Sequence, residues 1–154
     1  MTTLRSLLAV LLLGSLLALG CGDEDSGPTG NDNAGHPPAS MVDSWVFQSV
    51  MVDSAPASLA DVLDWVAGAV QAKIHIQANG AYTYEEVNVS GGQLWYETGY
   101  AIVEGESLEL NATEDSDGPT DETSLFTYAL VADTLTVSTD DAGSVVDFRL
   151  QRLP

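Results

Sequence analysis

The sequence predicts a mainly β domain: an antiparallel up-and-down meander barrel of about eight strands, with one helix between strands 1 and 2. Three observations predict it. Short β-prone runs alternate apolar and polar residues. Turn residues separate these runs at short intervals. A single segment departs from the alternation and carries helical spacing instead.

The elements follow in order. "SWVFQSVMV" (44–52) sets Trp45, Phe47 and Met51 on one face. "SLADVLDWVAGAVQ" (58–71) spaces Leu59, Val62, Leu63, Val66 and Val70 as a helix of three to four turns, with Ser58 and Asp61 forming its start. "KIHIQ" (73–77) points Ile74 and Ile76 inward, and Asn79-Gly80 signals a hairpin into "AYTYEEVNV" (81–89), where Tyr82 and Tyr84 share a face. "QLWYETGYAIV" (93–103) turns through Glu104-Gly105 into "SLELNA" (107–112). An acidic loop, "TEDSDGPTDET" (113–123), leads to "SLFTYALV" (124–131). "TLTVST" (134–139) and "SVVDFRLQRL" (144–153) finish the meander, with Leu135 and Val137 inward and Val146, Phe148 and Leu150 on one face. Closing such a meander into a barrel removes its exposed edges.

The chain before this domain reads differently. Arg5 precedes an apolar run, Ser6–Gly20, that is short for a bilayer-spanning helix. The run ends Leu17-Ala18-Leu19-Gly20-Cys21, and Cys21 is the only cysteine. This stretch resembles the lipobox of bacterial lipoproteins. The resemblance implies that residues 1–20 are a lipoprotein signal peptide and that Cys21, acylated, becomes the first residue of the mature protein. It also implies a membrane-bound protein of the bacterial cell envelope, held by acyl chains that each contribute about 0.8 kcal/mol per buried CH2. Asp23 stands one place beyond the position at which Asp retains such proteins in the inner membrane of enteric bacteria, which points to the outer membrane. Residues 21–40 follow as an acidic tether without large apolar side chains, which predicts disorder. The folded domain is expected over 41–154.

Composition excludes some functions. Lys and Arg total 4 against 23 Asp and Glu, a net charge of −19. Nucleic-acid binding depends on clustered basic residues, so no nucleic-acid partner is expected. His75 is the only histidine of the expected domain, and it alternates with two inward isoleucines, so it faces solvent. No serine–histidine arrangement, phosphate-binding glycine loop or paired zinc ligands stand out, so no enzyme activity and no cofactor are expected.

The run of motifs, from Trp45 through "IHIQANGAYTY", "GYAIVEGESLELN" and "FTYALVADTLTVST" to "DFRLQR", resembles the lipocalin-like domains of bacterial envelope lipoproteins. That resemblance implies a Trp45 that closes one end of the barrel beneath an arginine of the last strand, here Arg149. It implies a ligand mouth at the other end.

Two candidate sites remain. Tyr82, Tyr84, Tyr96, Tyr100 and Tyr128 could line a pocket for a small apolar or amphipathic ligand. Asp115, Asp117 and Asp121 form a weak calcium candidate, since the loop lacks acidic residues at both ends of an EF-hand frame. The function expected is a non-catalytic binding module on a lipid anchor. The alternative is a structural or protein-interaction lipoprotein whose barrel is filled by its own side chains. An empty apolar lumen would favour the first, a packed one the second.

Overall fold

The computed structural model describes residues 35–154. The expected signal peptide, Cys21 and the expected tether up to residue 34 lie outside the described residues. The strands are β1 (Asp43–Val52), β2 (Ala55–Ala57), β3 (Gln71–Ile76), β4 (Ala81–Val87), β5 (Gln93–Glu104), β6 (Ser107–Asp115), β7 (Gly118–Val131), β8 (Thr134–Asp141) and β9 (Ser144–Arg152), with one helix, α1 (Leu59–Val62), between β2 and β3. All pairings are antiparallel and run in chain order from β3 to β9. β1 pairs with both β3 and β9, which closes an eight-strand barrel, while β2 is a short flap hydrogen-bonded to β1 alone.

The alternation read from the sequence holds where strands are regular. Ile74, Ile76, Tyr82, Leu108, Leu135, Val137, Val146, Phe148 and Leu150 are buried in the lumen. It fails in β1, where the pairing with β9 shifts between Phe47 and Ser49. A bulge of this kind inserts a residue and inverts the in–out phase. Val50 is therefore buried, and Met51, expected beside Trp45, is exposed.

Three further expectations are corrected. The helix expected over 58–71 is a single turn. Ser58 Oγ accepts from the Asp61 N–H at 3.4 Å, as the sequence suggests, and Leu59, Val62 and Leu63 pack on the core. The chain then leaves the helix at Asp64, whose φ is 51°. The Val66 N–H, which a longer helix would use internally, instead donates to Glu86 Oε2 at 2.7 Å. A charge-assisted bond from a buried carboxylate outweighs the weak helix preference of a short segment with Gly68 in it. Val70 consequently stays exposed.

The acidic loop expected over 113–123 is a hairpin, with β6 running to Asp115 and β7 starting at Gly118. Asp115 Oδ1 accepts from the N–H groups of Asp117 and Gly118 at 2.7 and 3.1 Å. This side-chain turn closes tightly enough to carry both strands past the expected loop. Finally, the ordered body begins before residue 41. Gly35 bridges to Val103, Pro37 is buried, and Met41 is fully covered.

The wall is not uniformly sealed. β8 pairs with only the end of β7, Thr127–Val131. Toward the other end β8 stays with β9 as far as Asp141–Ser144, while β7 stays with β6 as far as Gly118. The two hairpins splay apart there.

Candidate functional site

Two ends of the lumen differ in chemistry. At the closed end Trp45 is fully buried, and its Nε1 donates to the Met41 carbonyl at 2.9 Å. An arginine lies on the indole as the resemblance implies, but it is Arg152, 4.6 Å from the ring centroid, and not Arg149. The reason is the two-residue period of β9. Val146, Phe148 and Leu150 face inward, and Arg152 continues that series, whereas Arg149 belongs to the outward set. The register agrees, since Trp45 pairs with Arg152. Arg152 also bonds Asp43 at 2.6 Å, Asp133 at 3.1 Å and the Ser40 carbonyl at 2.6 Å. Its guanidinium and the Ser44 N–H hold the Asp43 carboxyl below the usual carboxylate range, the backbone bond being the larger cause.

The middle of the lumen is filled by rings. Phe47 meets Phe148 and Tyr84 edge-on at 5.8 and 5.9 Å, and Tyr84 meets Trp95 at 5.8 Å. Edge-to-face packing at these separations is the favoured geometry for aromatic pairs. Tyr82 fits because its neighbours across the pleat are small. Gly99 lies opposite it and Ala112 opposite Gly99, and a Cβ on Gly99 would sit 1.9 Å from the Asn111 carbonyl oxygen.

Above the rings stands a group of acids. Tyr82 Oη donates to Glu97 Oε1 at 2.7 Å. Glu97 titrates above its ordinary range, first because it is buried, with Glu122 and Asp115 adding repulsion against the counteracting Tyr82 bond. Glu122 is raised for the same two reasons, burial and Asp115. Burial and the Glu86 charge push the Tyr84 hydroxyl well above its usual value, and that hydroxyl donates to Glu86 Oε1 at 3.4 Å. Burial and Glu97 likewise raise Tyr82. Glu86 itself is covered and ties the loop after α1 across this end through Val66.

The candidate tyrosines therefore separate. Tyr82, Tyr84 and Tyr128 face inward, but as core residues and not as the rim of a mouth. Tyr96 and Tyr100 are outward. The inward positions of β5 are Trp95, Glu97, Gly99, Ala101 and Val103, and the residues between them must point to solvent. Tyr96 Oη donates to Glu114 on the outer face, and Tyr100 is exposed. The five do not form one pocket.

The three aspartates of the calcium candidate are not brought together as one ligand set. Asp115 is engaged with its own turn, and Asp121 stands on the outer face of β7. No group of His, Cys, Asp or Glu able to hold a metal ion occurs among the described residues.

His75 faces outward as expected, and its Nδ1 lies 2.9 Å from Ser44 Oγ. Two shallow hollows among the described residues lie on the outside of the wall. One, of about 290 Å³, is lined by His75, Lys73 and Glu85. The other, of about 390 Å³, lies where β7 and β8 splay, between Leu125 and Val145. The polar lumen end, Glu97 with Glu122 and Glu86, was missed from sequence. Its signal was present for Glu97, which occupies the inward phase of an otherwise apolar strand face, but not for Glu122, which Thr120 and Ser124 flank on the inward face of β7.

The class these features define is a closed antiparallel eight-strand barrel with a self-packed aromatic interior. No protein-family model matches the chain, and no curated protein matches it in sequence.

Proposed function

We propose that this chain is a lipid-anchored protein of the cell envelope that works through its outer surface, as a structural or protein-interaction module. The observation that carries this reading is the aromatic series Phe148, Phe47, Tyr84 and Trp95, which occupies the lumen where a ligand would sit. A lipocalin-like carrier needs apolar volume at that place. The pattern at Cys21 supports the anchor, and the net charge of −19 supports a solvated, cation-attracting surface.

Titration of the chain with an apolar fluorescent probe tests the interior. The expected result is no saturable signal. A micromolar, stoichiometric site would return the reading to that of a carrier for a small apolar or amphipathic ligand. Acyl labelling of the chain and of Cys21→Ala tests the anchor. Label should be lost in the variant, and label retained there would remove the lipoprotein reading.

A further inference from the structure

The splayed margin of β7 is a hydrogen-bonding surface that the barrel itself does not use. Among the described residues, Gly118–Phe126 pairs on its β6 side only. Strand geometry identifies the groups left over. The Tyr128 N–H donates to the Glu106 carbonyl, so even-numbered residues of β7 direct their main-chain groups at β6. Odd-numbered residues direct theirs the other way. Thr127 and Ala129 meet β8 there, but Asp121, Thr123 and Leu125 meet the gap. Pro119, at the start of the same row, has no N–H to leave unpaired.

The chemistry around this margin has one sign. Asp117 and Asp121 are on β7 or its turn, and Asp140 and Asp141 end β8 across the gap. Leu125 and Val145, both exposed, give the gap an apolar floor. We propose that the β7 margin from Pro119 to Leu125 is a strand-addition site for an extended, lysine- or arginine-bearing segment of a partner protein. This inference rests on the surface-interaction reading above and names the surface.

Main-chain bonds supply the affinity in such additions, and flanking side chains supply the selectivity. A second copy of this chain would bring the same carboxylates to the same place. Like charges facing each other across a strand pair are destabilising, so the acids exclude self-pairing while a basic strand neutralises them.

The probe is a short labelled peptide of alternating lysine and valine, titrated by fluorescence anisotropy into the full-length chain in non-ionic detergent. Two further peptides carry N-methyl groups, one on every lysine amide and one on every valine amide. A strand has two hydrogen-bonding edges, and each methylation blocks one. The expected result is saturable binding that added salt weakens. One methylated peptide should bind like the parent, and the other should lose about tenfold or more. Thr123→Pro, which removes an N–H facing the gap, should give the same loss with the parent peptide.

Equal binding of both methylated peptides overturns the proposal, because attraction between charges alone ignores the edges. Absence of binding by the parent peptide also overturns it. Concentration-dependent dimers in sedimentation, abolished by Thr123→Pro, would assign the edge to a second copy instead. The peptides use the unaltered protein, so poor folding of Thr123→Pro does not decide the result. The apolar-probe titration separates the two readings: peptide failure with a silent lumen removes only the strand site, whereas peptide failure with a saturable lumen removes both.

Discussion

The closed end and the acidic end of the barrel handle charge in opposite ways. At the closed end, Arg152 lies over Trp45 and meets Asp43 and Asp133, so opposite charges compensate one another beside an apolar core. At the acidic end, Glu97, Glu122 and Asp115 stand together, and Glu97 and Glu122 are shifted toward the neutral acid. A charge taken from water must be paired or hydrogen-bonded, or it protonates. The closed end is thus built for stability. The acidic end gives up stability at neutral pH, and it adjoins the part of the wall that splays open.

Removing Trp45 should break the closed end. Trp45→Ala deletes a fully buried indole and its bond to Met41, at a cost of ~3–5 kcal/mol. That is a large share of the ~5–15 kcal/mol that holds a domain together. Trp65→Ala, at a half-buried loop position, should cost under about 2 kcal/mol. Paired urea melts measure both, and equal costs would mean the two ends are not distinguished by packing.

Glu86→Ala comes next. It leaves the Val66 N–H without its carboxylate, a loss of about 1–3 kcal/mol for a buried polar group. The effect should be local. Hydrogen exchange should accelerate at 63–70 and stay unchanged around Trp45. Uniform acceleration would show that the loop after α1 does not open on its own.

Arg152→Met tests compensation at the closed end. Its partners are partly exposed, with side-chain exposures of 38% for Asp43 and 68% for Asp133, so solvent screening reduces their contribution. The stacking on Trp45 adds to it. A total of about 1–2 kcal/mol is expected, against almost none for Arg149→Met, which lies on the outer face of β9. The reverse ranking in thermal melts would restore Arg149 to the role that the resemblance implies for it.

The smallest effect sharpens the comparison most. Glu97 and Glu122 have folded-state values raised above their ordinary 4.5. The folded state therefore binds more protons between the two values. The stability this gives is fully present below the unfolded value and is lost as pH rises through the folded one. Asp43 behaves oppositely, because its value is lowered: its contribution is present above the unfolded value and is lost as pH falls through the folded one. Glu97→Gln keeps an acceptor for Tyr82 and removes one titration. It should flatten the decline in stability above pH ~4.5 and leave the acid limb set by Asp43 intact. Urea midpoints across that range give the answer, and an unaltered decline would place the titration elsewhere.

Much of this architecture was legible because its signals are local. The two-residue period put Ile74, Ile76, Leu135, Val137, Phe148 and Leu150 inside, and Asn79-Gly80 marked its turn. Even Arg152 could have been found by extending the inward series Val146, Phe148 and Leu150 one step further. The bulge that exposes Met51 could not, because it arises from fitting β1 against β9, which lies about a hundred residues away in the chain. The same is true of the helix. Its spacing was correct for Leu59, Val62 and Leu63, but the buried carboxylate of Glu86 competes for the Val66 N–H, and no local pattern announces that competitor.

The sequence by itself determined the class: strands of period two joined by tight turns, one cysteine at the end of an apolar run, and an excess of acidic residues over almost no basic ones. These properties depend on neighbours in the chain. Only the tertiary structure decided that the aromatic rings fill the lumen and that carboxylates from β4, β5 and β7 gather at one end. Only it decided that β7 leaves β8 halfway along. Each of those depends on register between strands distant in sequence. A shift of one residue turns every side chain to the other face and moves the end of every ladder.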